Sequence, residues 1–420
     1  MKRLWCILLS LIMILCFCAC SEKTSIETVE TVYDENGTSS LDDTLSNNNN
    51  SSSGDEISSN GSNTNQSESS TLQESRPNND PQPDNTEDDV YHLSDASVLE
   101  KIKLNGRCEK LINGVGLGMS ASAIEFNTSS TTIMIEADCA DGIYYNVVVD
   151  GEITQNRAVT TSGTNYIFVR GLLKGEHNIK IIRDGEGRTD KYFIVKYLQF
   201  DDGELLEKDG DKPIVEFLGD SLTSGYGNLV TNGAAQPQEL KNQSAMKAYP
   251  YLTALSLGFD YRIVSQSGIA LGERDGYYAF LDYYHTENYH TNRNKKYTSS
   301  NPQDVDIVVV NLGTNDIGTK MYDATKAESV ENYITLFTDL ITKIGYTQDT
   351  KIIFVTGVWH REPITAINGA VKKLADLGYN NVYTLQLKEC RSGGGAHPSG
   401  KEQQEIADSL VKFIKEKGIA

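Results

Sequence analysis

Basic residues are scarce in this chain of 420: Lys and Arg number 38 against 58 Asp and Glu, for a formal net charge of −20. Neutralising phosphates needs basic patches, so this balance argues against a nucleic-acid partner. Cysteine is scarce as well. Of seven, Cys6, Cys16, Cys18 and Cys20 crowd the N-terminus, leaving only Cys108, Cys139 and Cys390 in the body. Three cannot all pair and they lack metal-ligand spacing. That argues against a disulfide framework and a zinc site, and for isolated, buried thiols. Apolar residues make up 38%, below the roughly 45–50% of an average globular chain, although that average also counts Gly. Part of the chain therefore builds no core.

The shortfall is local. Residues 21–89 carry −14, from sixteen acids against Lys23 and Arg76, and residues 1–20 carry +2, which leaves −8 for residues 90–420. From Asn36 to Asp89 the only aliphatic residues larger than Ala are Leu41, Leu45, Ile57 and Leu72, with Pro77, Pro81 and Pro83 near the end. Such a stretch cannot bury enough apolar surface to offset its ordering entropy. Residues 21–89 are expected to be a disordered, acidic Ser/Asn-rich linker, extended by self-repulsion and without secondary structure.

Residues 1–20 read as an export signal. Met1-Lys2-Arg3 is the basic start, and Leu4 to Cys18 is apolar with Ser10 as its one polar member. An uncleaved anchor is the alternative, but Leu4 to Cys20 only just reaches the roughly 17 residues of a spanning helix. Phe17-Cys18-Ala19-Cys20-Ser21 resembles a bacterial lipoprotein box, in which a small residue precedes an acylated Cys. Phe17 departs from that pattern, since Leu is usual there. The resemblance implies lipidation of Cys20 and a protein anchored outside the cytoplasmic membrane.

The remaining body is too long for one core, and its pattern changes near residue 208. Between 124 and 200 short β runs recur at 133–135, 145–149, 166–169, 178–182 and 192–195, with Asp150-Gly151 and Asp184-Gly185 at strand ends as turn signals. Residues 90–208 are expected to form a small all-β sandwich, of jelly-roll type. After Lys212-Pro213, apolar strands at 214–218, 262–264, 305–310, 351–356 and 381–385 alternate with helices at 248–257, 327–344, 362–377 and 401–416. Residues 209–420 thus predict an α/β domain, a parallel sheet covered on both faces. Function in such a sheet gathers at the carboxyl ends of the strands.

Four weak signals sit at those ends. Gly219-Asp220-Ser221 follows the first strand, where a Ser hydroxyl is exposed at a strand-to-helix turn; Asp and Ser are also ordinary helix caps. Ser267-Gly268 follows the second, where Gly admits close backbone approach or simply turns the chain. Asn311-Leu312-Gly313-Thr314-Asn315-Asp316 follows the third and offers an amide donor suited to an oxyanion. His397-Pro398, after Gly393-Gly394-Gly395, precedes the last helix, as an ordinary surface His or as a general base.

Their order is specific. Gly-Asp-Ser, Gly, Gly-x-Asn-Asp and His-Pro, each after its own element, resemble the SGNH (GDSL-type) hydrolases over residues 212–418. The sandwich ahead of it, with Phe217–Gly227, Ala248-Tyr249-Pro250-Tyr251 and Ser267-Gly268-Ile269, is similar to family 2 of the carbohydrate esterases. Members deacetylate plant polysaccharides such as xylan and mannan. The resemblance implies a serine esterase without cofactor or metal. Ser221 would be its nucleophile and His397 its general base. The Ser221 N–H, the Gly268 N–H and the Asn315 amide would form the oxyanion hole, and an acetylated polysaccharide or oligosaccharide would be the substrate. One departure matters: the acid usual shortly before the His is missing, with Gly394 and Gly395 in its place. Either the enzyme is weakened or a Ser–His dyad works with a backbone carbonyl of the Gly393–Ala396 loop, and dyads occur in that family. Glu389, Glu362 and Asp316 are the competing partners.

Two features stay open. Tyr277, Tyr278, Phe280, Tyr283, Tyr284 and Tyr289 would face a sugar cleft or, slightly favoured, bury their rings in the core; His285 and His290 are wrongly spaced for a metal pair. Trp359 lines the pocket or caps the core. The competing functions are an esterase for other O-acyl esters, on wall glycan or lipid, and an inactive glycan-binding lipoprotein.

Overall fold

The computed structural model describes residues 31–33, 89–154, 157–188, 190–273, 278–285, 297 and 300–420. Cys20, the leader, almost all of the linker, Tyr277, Tyr289 and His290 lie outside them. The residues from Asp88 onward fall in one compact unit, so the β-rich and α/β parts are packed together.

The β-rich part is a sandwich of two antiparallel sheets. One holds β1 (Thr31–Tyr33), β2 (Asp89–His92), β4 (Cys108–Leu111), β5 (Gly114–Leu117), β7 (Thr132–Cys139), β11 (Gly163–Arg170) and β13 (Phe193–Phe200), in the order β1-β11-β7-β13-β5-β4, with β2 also on β13. The other holds β3 (Lys103–Asn105), β6 (Ala123–Thr128), β8 (Tyr144–Val149), β9 (Glu152–Ile153), β10 (Ala158–Val159) and β12 (His177–Arg183), in the order β10-β8-β12-β6-β3, with β9 also on β8. A helix, α1 (Ala96–Lys101), joins β2 to β3. Alternate residues such as Ile133, Ile135, Ile179, Ile181, Val195 and Phe193 fill the space between the sheets, as the period of two requires.

Two expectations give way here. Thr31–Tyr33 pair antiparallel with β11, inside the stretch expected to lack secondary structure; Thr-Val-Tyr is a run of strand-favouring residues, and β11 offers it an edge. Asp150-Gly151 does make the tight β8–β9 turn, with φ of 51° and 85°. Asp184-Gly185 also follows a strand end, with Gly185 at φ 150°, but it opens a longer loop between β12 and β13 that packs against the α/β part instead of a tight turn.

That part is a five-stranded parallel sheet of β14 (Ile214–Gly219), β15 (Asp260–Ser265), β16 (Ile307–Asn311), β17 (Lys351–Thr356) and β18 (Val382–Gln386), ordered β15-β14-β16-β17-β18. The central strands β14, β16 and β17 are buried almost throughout because both faces of the sheet are covered. Val215, Phe217, Val309 and Val355 pack on one face with α3 (Tyr249–Leu257) and α8 (Gly400–Glu416). Leu218, Val308, Val310 and Phe354 pack on the other with α6 (Ala327–Ile344) and α7 (Ile364–Asp376). Between these run three short helices, α2 (Ser221–Ser224), α4 (Phe280–His285) and α5 (Thr314–Gly318). Glu216, the one acid in β14, is fully buried and accepts hydrogen bonds from Tyr284 and Tyr346. The α4 rings Phe280, Tyr283 and Tyr284 are buried in the core, the favoured of the two readings, and among the described aromatics of that stretch only Tyr278 is exposed. Cys108, Cys139 and Cys390 are free and buried.

Candidate active site

The first strand β14 lies between the second and third, so the strand order reverses on either side of it, the place where a crevice opens at the carboxyl edge. Gly219 ends β14. A β-carbon there would stand 1.9 Å from the Thr223 hydroxyl, so only Gly admits the sharp turn into α2. Asp220 caps α2, accepting from the Leu222 N–H at 2.9 Å. Ser221 follows as the first helical residue.

His397 reaches this Ser from the loop ahead of α8. Its Nε2 lies 2.8 Å from Ser221 Oγ, and its Nδ1 lies 3.0 Å from the Gly395 carbonyl oxygen. A carbonyl can only accept, so Nδ1 carries the proton and Nε2 is left to accept from the Ser hydroxyl. The carbonyl is aimed by two successive left-handed residues, Gly395 at φ 62° and Ala396 at φ 57°; the second is a strained choice for a residue with a side chain. Neighbours hold the loop. Gly394 N–H donates to Gly227 O at 2.9 Å, Gly393 N–H to His397 O at 2.7 Å, and Ala396 N–H to the Asn232 side chain at 3.1 Å. Glu402 in α8 accepts from Ser392 and Ser399.

Two aromatic rings pack against the imidazole. The Tyr226 centroid is 4.4 Å away and the Trp359 centroid 4.7 Å, both tilted. Trp359 thus does both things proposed for it, since it also packs on the core. Sequence reasoning gave Tyr226 no role; its place in Gly225-Tyr226-Gly227 was the only signal. His397 is only 8% exposed. Burial lowers its pKa below 6.5, against a smaller upward pull from the Gly395 and Gly394 backbone, so the ring is neutral at pH 7.

The other two expected positions come together beside Ser221. Gly268 turns the chain after β15 at φ 81°. The Asn315 amide, on α5 after β16, donates to Ile269 O at 2.7 Å and makes a longer 3.3 Å contact with Asp220. Asp316 accepts from the Leu271 and Gly272 N–H groups and from Tyr333. Asn315 and Asp316 therefore stitch the Gly268 turn to α5. The rivals for His397 are engaged elsewhere: Glu389 pairs with Arg391 at the surface, Glu362 with His360 and the Arg361 N–H, and Asp316 as just described. Burial pushes the Asp220 carboxyl up to about 7, with the Asp316 and Glu186 charges adding to it.

The carbohydrate esterase 2 N-terminal family model matches residues 104–208, and the GDSL-like lipase/acylhydrolase model matches residues 215–410. The N-terminal match is thus to a domain of the family 2 carbohydrate esterases and the C-terminal match to the GDSL-like hydrolases. The α/β part has the SGNH-hydrolase fold. Among known proteins, the chain is 27% identical over 327 residues to the cellulase/esterase CelE of Acetivibrio thermocellus, across 73% of this chain and 38% of that protein. It therefore spans little more than a third of that relative's length. It is 25% identical over 274 residues to the acetylxylan esterase/glucomannan deacetylase of Cellvibrio japonicus, across 59% of this chain and 72% of that one. A solved acetyl xylan esterase from the rumen bacterium Butyrivibrio proteoclasticus superposes with a TM-score of 0.68 at 21% identity, covering 79% of this chain and 98% of that one. At that identity the likeness is one of fold.

Proposed function

We propose that the chain is a serine esterase that removes O-acetyl groups from polysaccharides of the xylan or mannan type. The observation that carries this reading is the 2.8 Å contact of His397 Nε2 with Ser221 Oγ, with Nδ1 held by a carbonyl. His397 takes the Ser221 proton as Oγ attacks the acetyl carbonyl. Charge developing on the carbonyl oxygen is met by the N–H groups of Ser221 and Gly268 and by the Asn315 amide, whose long contact to Asp220 is the one exchanged. The imidazolium gives its proton to the departing sugar oxygen, which leaves as a hydroxyl, and a water activated by the same ring releases acetate. Gly395 O and the nearby rings of Tyr226 and Trp359 stabilise the imidazolium where a carboxylate usually would.

Release of p-nitrophenol from its acetyl ester by the purified protein tests this directly. Acetyl esters are expected to be cleaved far faster than octanoyl esters. Faster turnover of the octanoyl ester would move the protein to the lipid-ester alternative, and no turnover of either would leave a glycan-binding protein. Acetate release from acetylated xylan and mannan then identifies the glycan.

The proposal extends to location. The sandwich, of jelly-roll type, and the esterase domain would be tethered at the outer face of the cytoplasmic membrane by acyl chains on Cys20, with residues 21–30 as the spacer, because Thr31–Tyr33 already pair with β11. Two or more chains make a firm anchor where one is marginal. In the producing cell, Cys20→Ser should leave the membrane fraction and lose the lipid mass. A membrane-bound Cys20→Ser protein of unchanged mass would overturn this.

A further inference from the structure

The loop that leaves β12 of the sandwich, residues 183–188, enters the α/β part. Its root is fixed: Arg183 is fully buried and donates to the carbonyls of Leu117 at 3.0 Å and Lys191 at 2.8 Å. Asp184 accepts from Ser244 Oγ at 2.8 Å and from the Met246 N–H at 3.0 Å, both in the segment ahead of α3. At Gly187 a β-carbon would stand 2.1 Å from the Gly118 carbonyl, so the loop is seated backbone against backbone.

Glu186 is at its tip, 4% exposed. Its carboxylate accepts the Ser267 N–H in a short hydrogen bond and lies 3.4 Å from Ser224 Oγ. Ser267 is the residue before Gly268, and Ser224 is the last residue of the helix that Ser221 begins. One side chain from the sandwich thus grips both the turn that carries an oxyanion donor and the helix that carries the nucleophile. Burying a carboxylate is costly unless its bonds repay it, and burial indeed pushes this one's pKa up. A purely structural cap for this turn would not need an acid brought from another domain.

We infer that Glu186 is a positioning residue for the oxyanion hole, supplied by the sandwich, and that it holds the Ser267–Gly268 turn so that the Gly268 N–H meets the oxyanion. This rests on the esterase reading above. The loss expected from a misaimed donor is roughly 10–10² in kcat, since about 1 Å of misplacement can cost 10²-fold.

The test compares Glu186→Met, which fills the space without an acceptor, with Glu186→Gln, which keeps one. On p-nitrophenyl acetate, Glu186→Met should lose roughly 10–10² in kcat with KM within threefold, and Glu186→Gln should recover to within threefold of wild type. Equal impairment of both variants, a change confined to KM, or near wild-type kcat in Glu186→Met would overturn the inference. Should Glu186→Met fail to fold, Glu186→Gln carries the test: turnover within threefold of wild type supports the acceptor role, and anything lower overturns it. An inactive wild-type protein would instead defeat the esterase reading itself.

Discussion

Ser221→Ala is expected to abolish ester hydrolysis while leaving the protein folded. Ser221 is buried to 7% exposure at the start of α2, and its hydroxyl faces His397. Removing Oγ deletes one hydrogen bond, worth about 1 kcal/mol, and disturbs neither the Asp220 cap nor the Gly219 turn. The melting temperature should therefore move little. The chemistry has no substitute for that oxygen, because the imidazole is placed to accept from Oγ and not to attack a carbonyl. Loss of a nucleophile that works as a unit with its base reaches on the order of 10⁶ in kcat. Asn315→Ala removes one of three donors and should cost roughly 10²–10³. Its Ile269 bond also goes, so part of that loss reaches the site through the Gly268 turn. Near wild-type turnover in Ser221→Ala would end the assignment of a serine mechanism.

Much of this was legible because each strand of the parallel sheet announces itself and its own exit. Strand β17 lies at Lys351–Thr356 where its apolar run predicts it, and β14, β15, β16 and β18 differ from expectation by two residues or fewer at either end. A strand buried on both faces must be continuously apolar, and a parallel connection must deliver the next strand end to the same edge. Four short motifs could thus be placed together from order alone. The short strands of the sandwich were harder. β2, β3, β4 and β5 are three or four residues long, with Gly and Lys among them, and they gain their stability from neighbours that the local pattern does not reveal.

The site's supporting residues were invisible for a different reason. Glu186 meets Ser267 across 81 positions and between domains. Nothing in Asp184-Gly185-Glu186 distinguishes a hairpin from a loop that reaches into a neighbouring domain. Tyr226 and Trp359 pack against a ring that belongs to a loop further along the chain. Their role depends on where His397 lands, which is a tertiary fact. Sequence order locates the reacting groups; what aims them is set by packing.

The missing triad acid gives the sharpest test of that aim. In a triad, converting the acid to its amide costs roughly 10⁴ in turnover, chiefly because the imidazole adopts the wrong tautomer. Here the Gly395 carbonyl fixes the tautomer, since it can only accept the Nδ1 proton. What it cannot supply is a full negative charge for the imidazolium. The rings of Tyr226 and Trp359, 4.4 and 4.7 Å from the imidazole, would replace part of that, at about 0.5–2 kcal/mol for a cation beside an aromatic ring. Glu389→Gln and Glu362→Gln should accordingly stay within about tenfold of wild type, because neither carboxylate faces the ring. Asp316→Asn should lose no more than about 10², through the Leu271–Gly272 loop it holds, and His397→Ala should be inactive. The acid limb of kcat/KM should fall below pH 6.5 in wild type and in all three amide variants, because burial depresses the His397 pKa. In the window between the lower folded value and about 6.5 the unfolded chain binds more protons at this position, so stability also falls as the pH drops through it. A loss of 10³ or more in any one folded amide variant, with a shifted acid limb, would reveal a hidden carboxylate partner and end the dyad.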